Sequence, residues 1–231
     1  MSVPRAAQSV AMAQPDPGLL PIVHTACRYV VVEKPSGVLS VPGKGPNKSD
    51  CVAARVVRLF PDASGPLVVH RLDMETSGLM VLGLDPEAQR ELSGQFEDRR
   101  VEKAYIALVA RWGADRDRRE LPDDGSIDLP VRADIENRPV QVVDHARGRP
   151  AITRWQVLAR EVDRLRLRLE PLTGRTHQLR VHAASGLSRP IMGDALYGGE
   201  PAPRLMLHAA TLSFLEPGTS RRVAFESPAP F

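Results

Sequence analysis

Six consecutive residues, Arg164-Leu165-Arg166-Leu167-Arg168-Leu169, alternate charge and leucine without a break. Only an extended chain sorts such a pattern onto two faces, because side chains of a strand point alternately up and down. The leucines must therefore line a core, and the arginines form a basic stripe on the other face. One strand cannot stand alone in water. The chain must supply partners, and several short β-branched or apolar runs offer them.

Tyr29 to Glu33 is such a run, and it stops at the turn Lys34-Pro35-Ser36-Gly37. Extended structure resumes over Val38 to Val41, before a Gly/Pro/Asn loop through Asn47. Ser49 or Asp50 is placed to cap a helix reaching about Phe60, where Pro61 ends it. Leu67 to Val69 and Leu79 to Leu82 read as buried strands. Asp85-Pro86 starts a second helix, whose Ala88, Leu92 and Phe96 recur every fourth residue, and Arg99 and Arg100 suit its negative end. Val101 to Ala110 reads as a strand with Lys103, Tyr105, Ala107 and Val109 on one face. Asp115 to Gly125 is a charged, exposed loop. Short strands are expected at Thr153 to Leu158, Leu205 to Leu207, Thr211 to Phe214 and Val223 to Phe225. Strands outnumber helices and short links dominate, so the fold class is α+β with a mixed, mostly antiparallel sheet. Residues 1–21, rich in Ala, Pro, Gln and Ser, read as a flexible tail. Residues 22–231 then form one domain, with no accessory domain ahead of it.

Of the 31 basic residues only Lys34, Lys44, Lys48 and Lys103 are lysines, and the formal net charge is +3. Arginine's planar fork pairs with phosphate and stacks on bases, although charge alone is better read as a solvated surface. Cys27 and Cys51 have no metal-site or redox spacing and read as reduced thiols. No apolar run approaches membrane-spanning length, and no secretory signal opens the chain, so cytoplasmic residence is expected.

Two segments carry chemistry. His70-Arg71-Leu72-Asp73 puts a charged cluster between two apolar runs, a costly arrangement unless a site needs it. A nearby arginine would keep Asp73 ionised, able to act as nucleophile or base; by itself, an Asp in a turn more often just fixes the turn. Leu172-Thr173-Gly174-Arg175-Thr176-His177-Gln178-Leu179-Arg180-Val181-His182 follows the alternating strand and opens a helix, with Thr176 as its cap. Three rival readings arise. A metal hydrolase is disfavoured, because His24, His70, His145, His177, His182 and His208 are scattered, and His177 and His182 fall on different helix faces. A kinase is disfavoured because Leu72 interrupts the kinase order and no Gly-rich phosphate loop or Asp-Phe-Gly segment is present. A non-catalytic RNA-binding protein shares most features, and only Asp73 separates it from an enzyme.

The string His70-Arg71-Leu72-Asp73, with Thr76-Ser77-Gly78 after it, resembles the catalytic loop of RluA-type pseudouridine synthases. Glu33 to Gly43 resembles that family's N-terminal signature, Pro190 to Gly198 its Gly-Asp-x-x-Tyr-Gly loop, and Arg204 to Ala209 its last motif. The ordered set spans about Tyr29 to the C-terminus. The resemblance implies the pseudouridine synthase fold, a central sheet flanked by helices and split by an RNA-binding cleft. It implies that Asp73 is the carboxylate on which uridine isomerisation depends, that Arg175 pairs with it, and that Tyr105 packs on the target base. Arg71 would enter the RNA stack, with His70 beside it among the RNA-contacting residues, and Leu207 would line the base pocket. No metal and no cofactor are implied. Asn137-Arg138-Pro139 points to members acting on both tRNA and large-subunit rRNA, so the expected partners are a tRNA anticodon stem-loop and a 23S rRNA hairpin, bound by a monomer.

Overall fold

In the computed structural model, residues 20–43, 45, 48–112 and 120–231 are described. The expected tail lies outside them except for Leu20 and Pro21, as do residues 115–119 of the charged segment. The strands are β1 (Ile22–Thr25), β2 (Tyr29–Lys34), β3 (Ser77–Gly83), β4 (Glu102–Ala110), β5 (Asp124–Asp128), β6 (Val131–Ala133), β7 (Gln141–Val143), β8 (Ile152–Arg160), β9 (Arg164–Pro171), β10 (Leu207–Leu215) and β11 (Arg222–Glu226). The helices are α1 (Val52–Leu59), α2 (Pro86–Glu97) and α3 (Gln178–Val181), the last running into a π-helical turn at His182–Gly186.

Nine strands form one sheet in the order β1-β2-β3-β10-β4-β9-β8-β5, with β11 also pairing β10; β6 and β7 form a separate hairpin. Only β3 and β10 run parallel, so the sheet is mixed and mostly antiparallel. The alternating strand behaves as its pattern demands. Leu165, Leu167 and Leu169 are buried, and the intervening arginines are only partly covered. In register they oppose Val109, Ala107 and Tyr105 of β4. This face of the sheet continues through Val30, Val32, Met80, Leu82, Leu207 and Ala209 and packs Val52 and Val56 of α1 and Leu179 of α3. The opposite face, built on Tyr29, Val31, Leu79, Val81, Leu212 and Phe214, is covered by Leu92 and Phe96 of α2. Asp85 caps α2 as its sequence promised, accepting from the Glu87 and Ala88 amides at 3.0 and 2.8 Å.

Several local expectations are corrected. Cys51, not Ser49 or Asp50, caps α1, its Sγ accepting from the Ala54 amide; Asp50 instead grips Arg55 at 3.0 and 2.6 Å. Leu67 to Val69 is no strand: Leu67 has φ of 53°, and Val68 makes a single bridge to Leu82. The two short strands expected at 205–214 are one strand, β10, with a register shift between Ala209 and Thr211. Asp124 and Gly125, assigned to a loop, begin β5. His177, not Thr176, precedes α3, and it lies in the left-handed region. The strands β1, β5, β6 and β7 carry too little apolar periodicity to be read from sequence.

Candidate active site

The segment carrying Asp73 leads into β3, and the turn after β2 holds it. The Gly37 amide and the Lys34 ammonium both donate to the Met74 carbonyl, at 2.9 and 2.8 Å. Ser36 Oγ donates to the Glu75 carbonyl at 2.7 Å. Ser40 Oγ donates to the Leu72 carbonyl at 2.7 Å and accepts from the Leu72 amide at 3.1 Å. Lys34 is fully buried and also donates to the Pro35 and Val38 carbonyls; burial pushes its pKa down to about 7. The turn after β2 thus acts as a cradle for the Asp73 turn. Beyond it, Gly78 lets the chain enter the sheet. Its φ is 113°, and a Cβ there would press into the Ala209 backbone of the parallel strand.

His70 does not join Asp73. Its Nε2 accepts from the Val81 amide at 3.2 Å, and its ring stacks on Phe96 with centroids 4.4 Å apart. It anchors the loop to β3 and α2, so its expected place among RNA contacts is corrected. Burial, then the nearby Lys103 charge, pushes its pKa down to about 3. Burial also lowers His177, His182 and His208. A histidine whose folded pKa lies below its unfolded value leaves the unfolded chain holding more protons in acid. The stability it confers is fully present above about pH 6.5 and is lost as the pH falls through that value toward the folded pKa. His70→Gln, whose amide oxygen can still accept from Val81, is expected to flatten the fall in stability between about pH 6 and pH 4 by about one proton, near 1.4 kcal/mol per pH unit. Urea midpoints across that range measure it, and an unchanged slope would contradict the assignment.

Asp73 is 22% exposed at its side chain. Arg180 Nη1 and His177 Nε2 each stand 3.9 Å from its Oδ2. Arg180 is held rigidly: Nε and Nη2 form a two-pronged bond to buried Asp194 at 2.7 and 2.6 Å, and its guanidinium lies 5.1 Å from the Tyr197 ring centroid. Such a bidentate pair fixes both position and plane of the cation. Tyr105 lies beneath, 9% exposed, its phenol pKa pushed up by burial first and by the Asp73 charge second. It therefore stays protonated and is a hydrogen-bond donor, not a base. Arg71 is exposed and close enough to His177 to depress its pKa.

Two further expectations are corrected. Arg175 does not pair with Asp73. Its Nε donates to the Pro150 carbonyl at 3.1 Å, and the like charges of Arg149 and Arg99 bear on it. The partner of Asp73 is Arg180, five residues further along the same segment. Arg175 precedes α3, whereas Arg180 lies on it and is drawn inward by Asp194. That signal stood in the sequence, as a second arginine in one motif and an aspartate in another, but pairing them needs the fold. Leu207 is 2% exposed. Opposite Ala107 in the register, it belongs to the core around Tyr105, not to an open pocket wall. Among the described residues, no three or more His, Cys, Asp or Glu side chains are assembled to hold a metal.

A solvent-reachable carboxylate beside a fixed guanidinium, a buried imidazole and a protonated phenol can attack an electrophilic carbon or take a proton. Comparison with known proteins narrows that chemistry. The family model described as RNA pseudouridylate synthase matches residues 28–185. The chain is 42% identical over 217 residues to the dual-specificity RNA pseudouridine synthase RluA of Escherichia coli, covering 92% of this chain and 94% of that one. The protein of the same name from Yersinia pestis is 44% identical over 215 residues, with 91% and 99% covered. The solved structure of human RNA Pseudouridylate Synthase Domain Containing 1 superposes with a TM-score of 0.74 at 29% identity, over 95% of this chain and 87% of that one. Human RNA Pseudouridylate Synthase Domain Containing 4 gives 0.71 at 26% identity, over 91% and 88%.

Proposed function

The chain belongs to the RNA pseudouridylate synthase family and is an RNA-modifying isomerase, and we propose that it converts uridines to pseudouridine in a tRNA anticodon stem-loop and in a 23S rRNA hairpin, with Asp73 as the catalytic carboxylate. The observation that carries this reading is the position of Asp73, open to solvent above Tyr105 and within 3.9 Å of both Arg180 and His177. The reaction breaks the N1–C1′ bond, turns the uracil and joins C5 to C1′. It needs no net oxidation and no energy input. Asp73 attacks the ribose C1′ or the uracil C6.

Tyr105 packs on the flipped base and offers its phenolic proton. Arg71, exposed at the mouth of the site, enters the stack as the nucleotide leaves. Extruding a base costs on the order of a few kcal/mol, least where it is unpaired, which favours loop uridines. Arg175, near Arg149 and Arg99 and without a carboxylate partner among the described residues, serves the RNA backbone. Leu207 belongs to the core that supports Tyr105. Dual specificity is proposed because the Escherichia coli and Yersinia pestis relatives are dual-specificity RNA pseudouridine synthases. The unit that acts is the domain over residues 22–231, working as a monomer in the cytoplasm.

Pseudouridine mapping in total RNA tests the proposal, in cells with and without this chain. Loss of one tRNA anticodon-loop site and one 23S hairpin site, both restored by the wild-type gene, is the expected outcome. Loss of sites elsewhere, or of none, would refute the proposed targets.

A further inference from the structure

The His177 ring is tied to Tyr197. Its Nδ1 lies 2.8 Å from the Tyr197 hydroxyl, and that hydroxyl also accepts from the Gln141 amide, at 2.9 Å, at the start of β7. A phenol has one proton to give. With the Gln141 N–H pointing into the oxygen, the phenolic proton is directed to His177 Nδ1, the ring nitrogen left as its acceptor. The single N–H proton of the neutral ring then resides on Nε2, the atom that faces Asp73 Oδ2 at 3.9 Å. The opposite tautomer would turn a lone pair toward the carboxylate and leave the phenolic proton with no acceptor among the described residues. Both ends of the chain of contacts therefore select the same tautomer.

Backbone geometry agrees. His177 has φ of 53°, in a region that residues with side chains rarely occupy, and no side-chain bond caps the helix it precedes. Strain of this kind persists where surroundings enforce it, and it gathers at functional sites. The surroundings here are Tyr197, stacked edge-on to the imidazole with centroids 5.8 Å apart, and Arg180 across that same phenol ring. Asp194, Tyr197 and Gly198 belong to one loop. That loop fixes Arg180 through Asp194 and His177 through Tyr197, so it sets both neighbours of Asp73.

From this geometry we infer that Tyr197 and His177 are positioning residues, Tyr197 holding His177 in the Nε2–H form so that it donates to Asp73 when RNA closes the site. The inference rests on the proposed role of Asp73. At 3.9 Å the contact is beyond hydrogen-bond length. Catalytic hydrogen bonds often tighten only once substrate is bound, and the Arg180 and Arg71 charges both bear on the imidazole.

The test uses the full chain in two arms. Without RNA, nitrogen-15 NMR reads the His177 tautomer, the signal being assigned by its disappearance in His177→Gln. Wild type is expected to show protonated Nε2 and bare Nδ1, and Tyr197→Phe, which keeps the ring over Arg180, a mixture of both. With RNA, Tyr197→Phe is expected to lower kcat by about tenfold while KM stays within about twofold, the mark of an interaction made in the transition state. His177→Gln, whose amide nitrogen reaches nearly as far as Nε2, is expected to retain more activity than His177→Ala. A wild-type ring protonated on Nδ1, an unaltered tautomer in Tyr197→Phe, or a loss confined to KM would each overturn the inference. Should wild type modify no RNA, the catalytic reading fails, while the NMR arm still decides the tautomer.

Discussion

Asp73→Asn is expected to fold, bind RNA and make no pseudouridine. The carboxylate is partly exposed, and Arg180 and His177 stand 3.9 Å away from it, so the fold does not depend on it. An amide of the same shape leaves the carbonyl contact from the Thr76 amide in place. The expected change in stability is below about 1 kcal/mol, as for a substitution that leaves no buried group unpaired. The chemistry cannot survive, because an amide is neither a nucleophile of useful strength nor a base. Loss of a reacting group of this kind lowers kcat by about four orders of magnitude or more. Release of tritium from RNA labelled at uracil C5 measures turnover, since that position loses its hydrogen when it bonds to C1′. Measurable turnover above a thousandth of wild type would remove Asp73 from its role.

Arg180→Met strikes both fold and function, and a second substitution separates them. Arg180 and Asp194 are a buried pair, with side chains 6% and 0% exposed. Removing the arginine leaves Asp194 charged in a dry interior, an outcome that costs about 3–5 kcal/mol. For a chain of this length that is a fall of roughly 6–20 °C in Tm. Replacing both partners by apolar residues, as in Arg180→Met with Asp194→Leu, is expected to recover most of that stability, because no lone charge is then buried. Activity is not expected to return, since the cation beside Asp73 is still missing. A double variant that is both stable and active would show that Arg180 matters only as the mate of Asp194. Thermal melts and turnover on one RNA give both readings.

The alternation at Arg164 to Leu169, the Asp85-Pro86 helix start and the long strand at Val101 to Ala110 were legible because each is a local pattern with one physical meaning. The short strands were not. β6 and β7 have three residues each, and their hairpin stands apart from the main sheet. Helix α1 was found but its cap was not, because a cysteine accepting through sulfur is outside the usual preference for Ser, Thr, Asp and Asn. At the site, the strings mark Asp73, Arg71 and Tyr105 as candidates, and the structure puts Asp73 within 3.9 Å of Arg180 and close enough to Tyr105 to act on its phenol. The misassigned residues share one cause. Arg175 and Arg180 sit in one motif, and nothing local says which of them turns inward. His70 adjoins Arg71 in sequence, yet its ring is drawn to Phe96 and the Val81 amide on the other side of the sheet.

The sequence by itself determined that the chain builds a mostly antiparallel α+β sheet and that an aspartate stands in a turn between apolar runs, because side-chain period and residue type are properties of a few consecutive residues. The tertiary structure alone decided which cation answers that aspartate. Asp194, far along the chain from Asp73, meets Arg180 in a buried two-pronged pair, and Tyr197, from the same loop, meets His177. Partners separated in sequence are chosen by burial, since a charge removed from water must find its opposite wherever the packed chain has brought one.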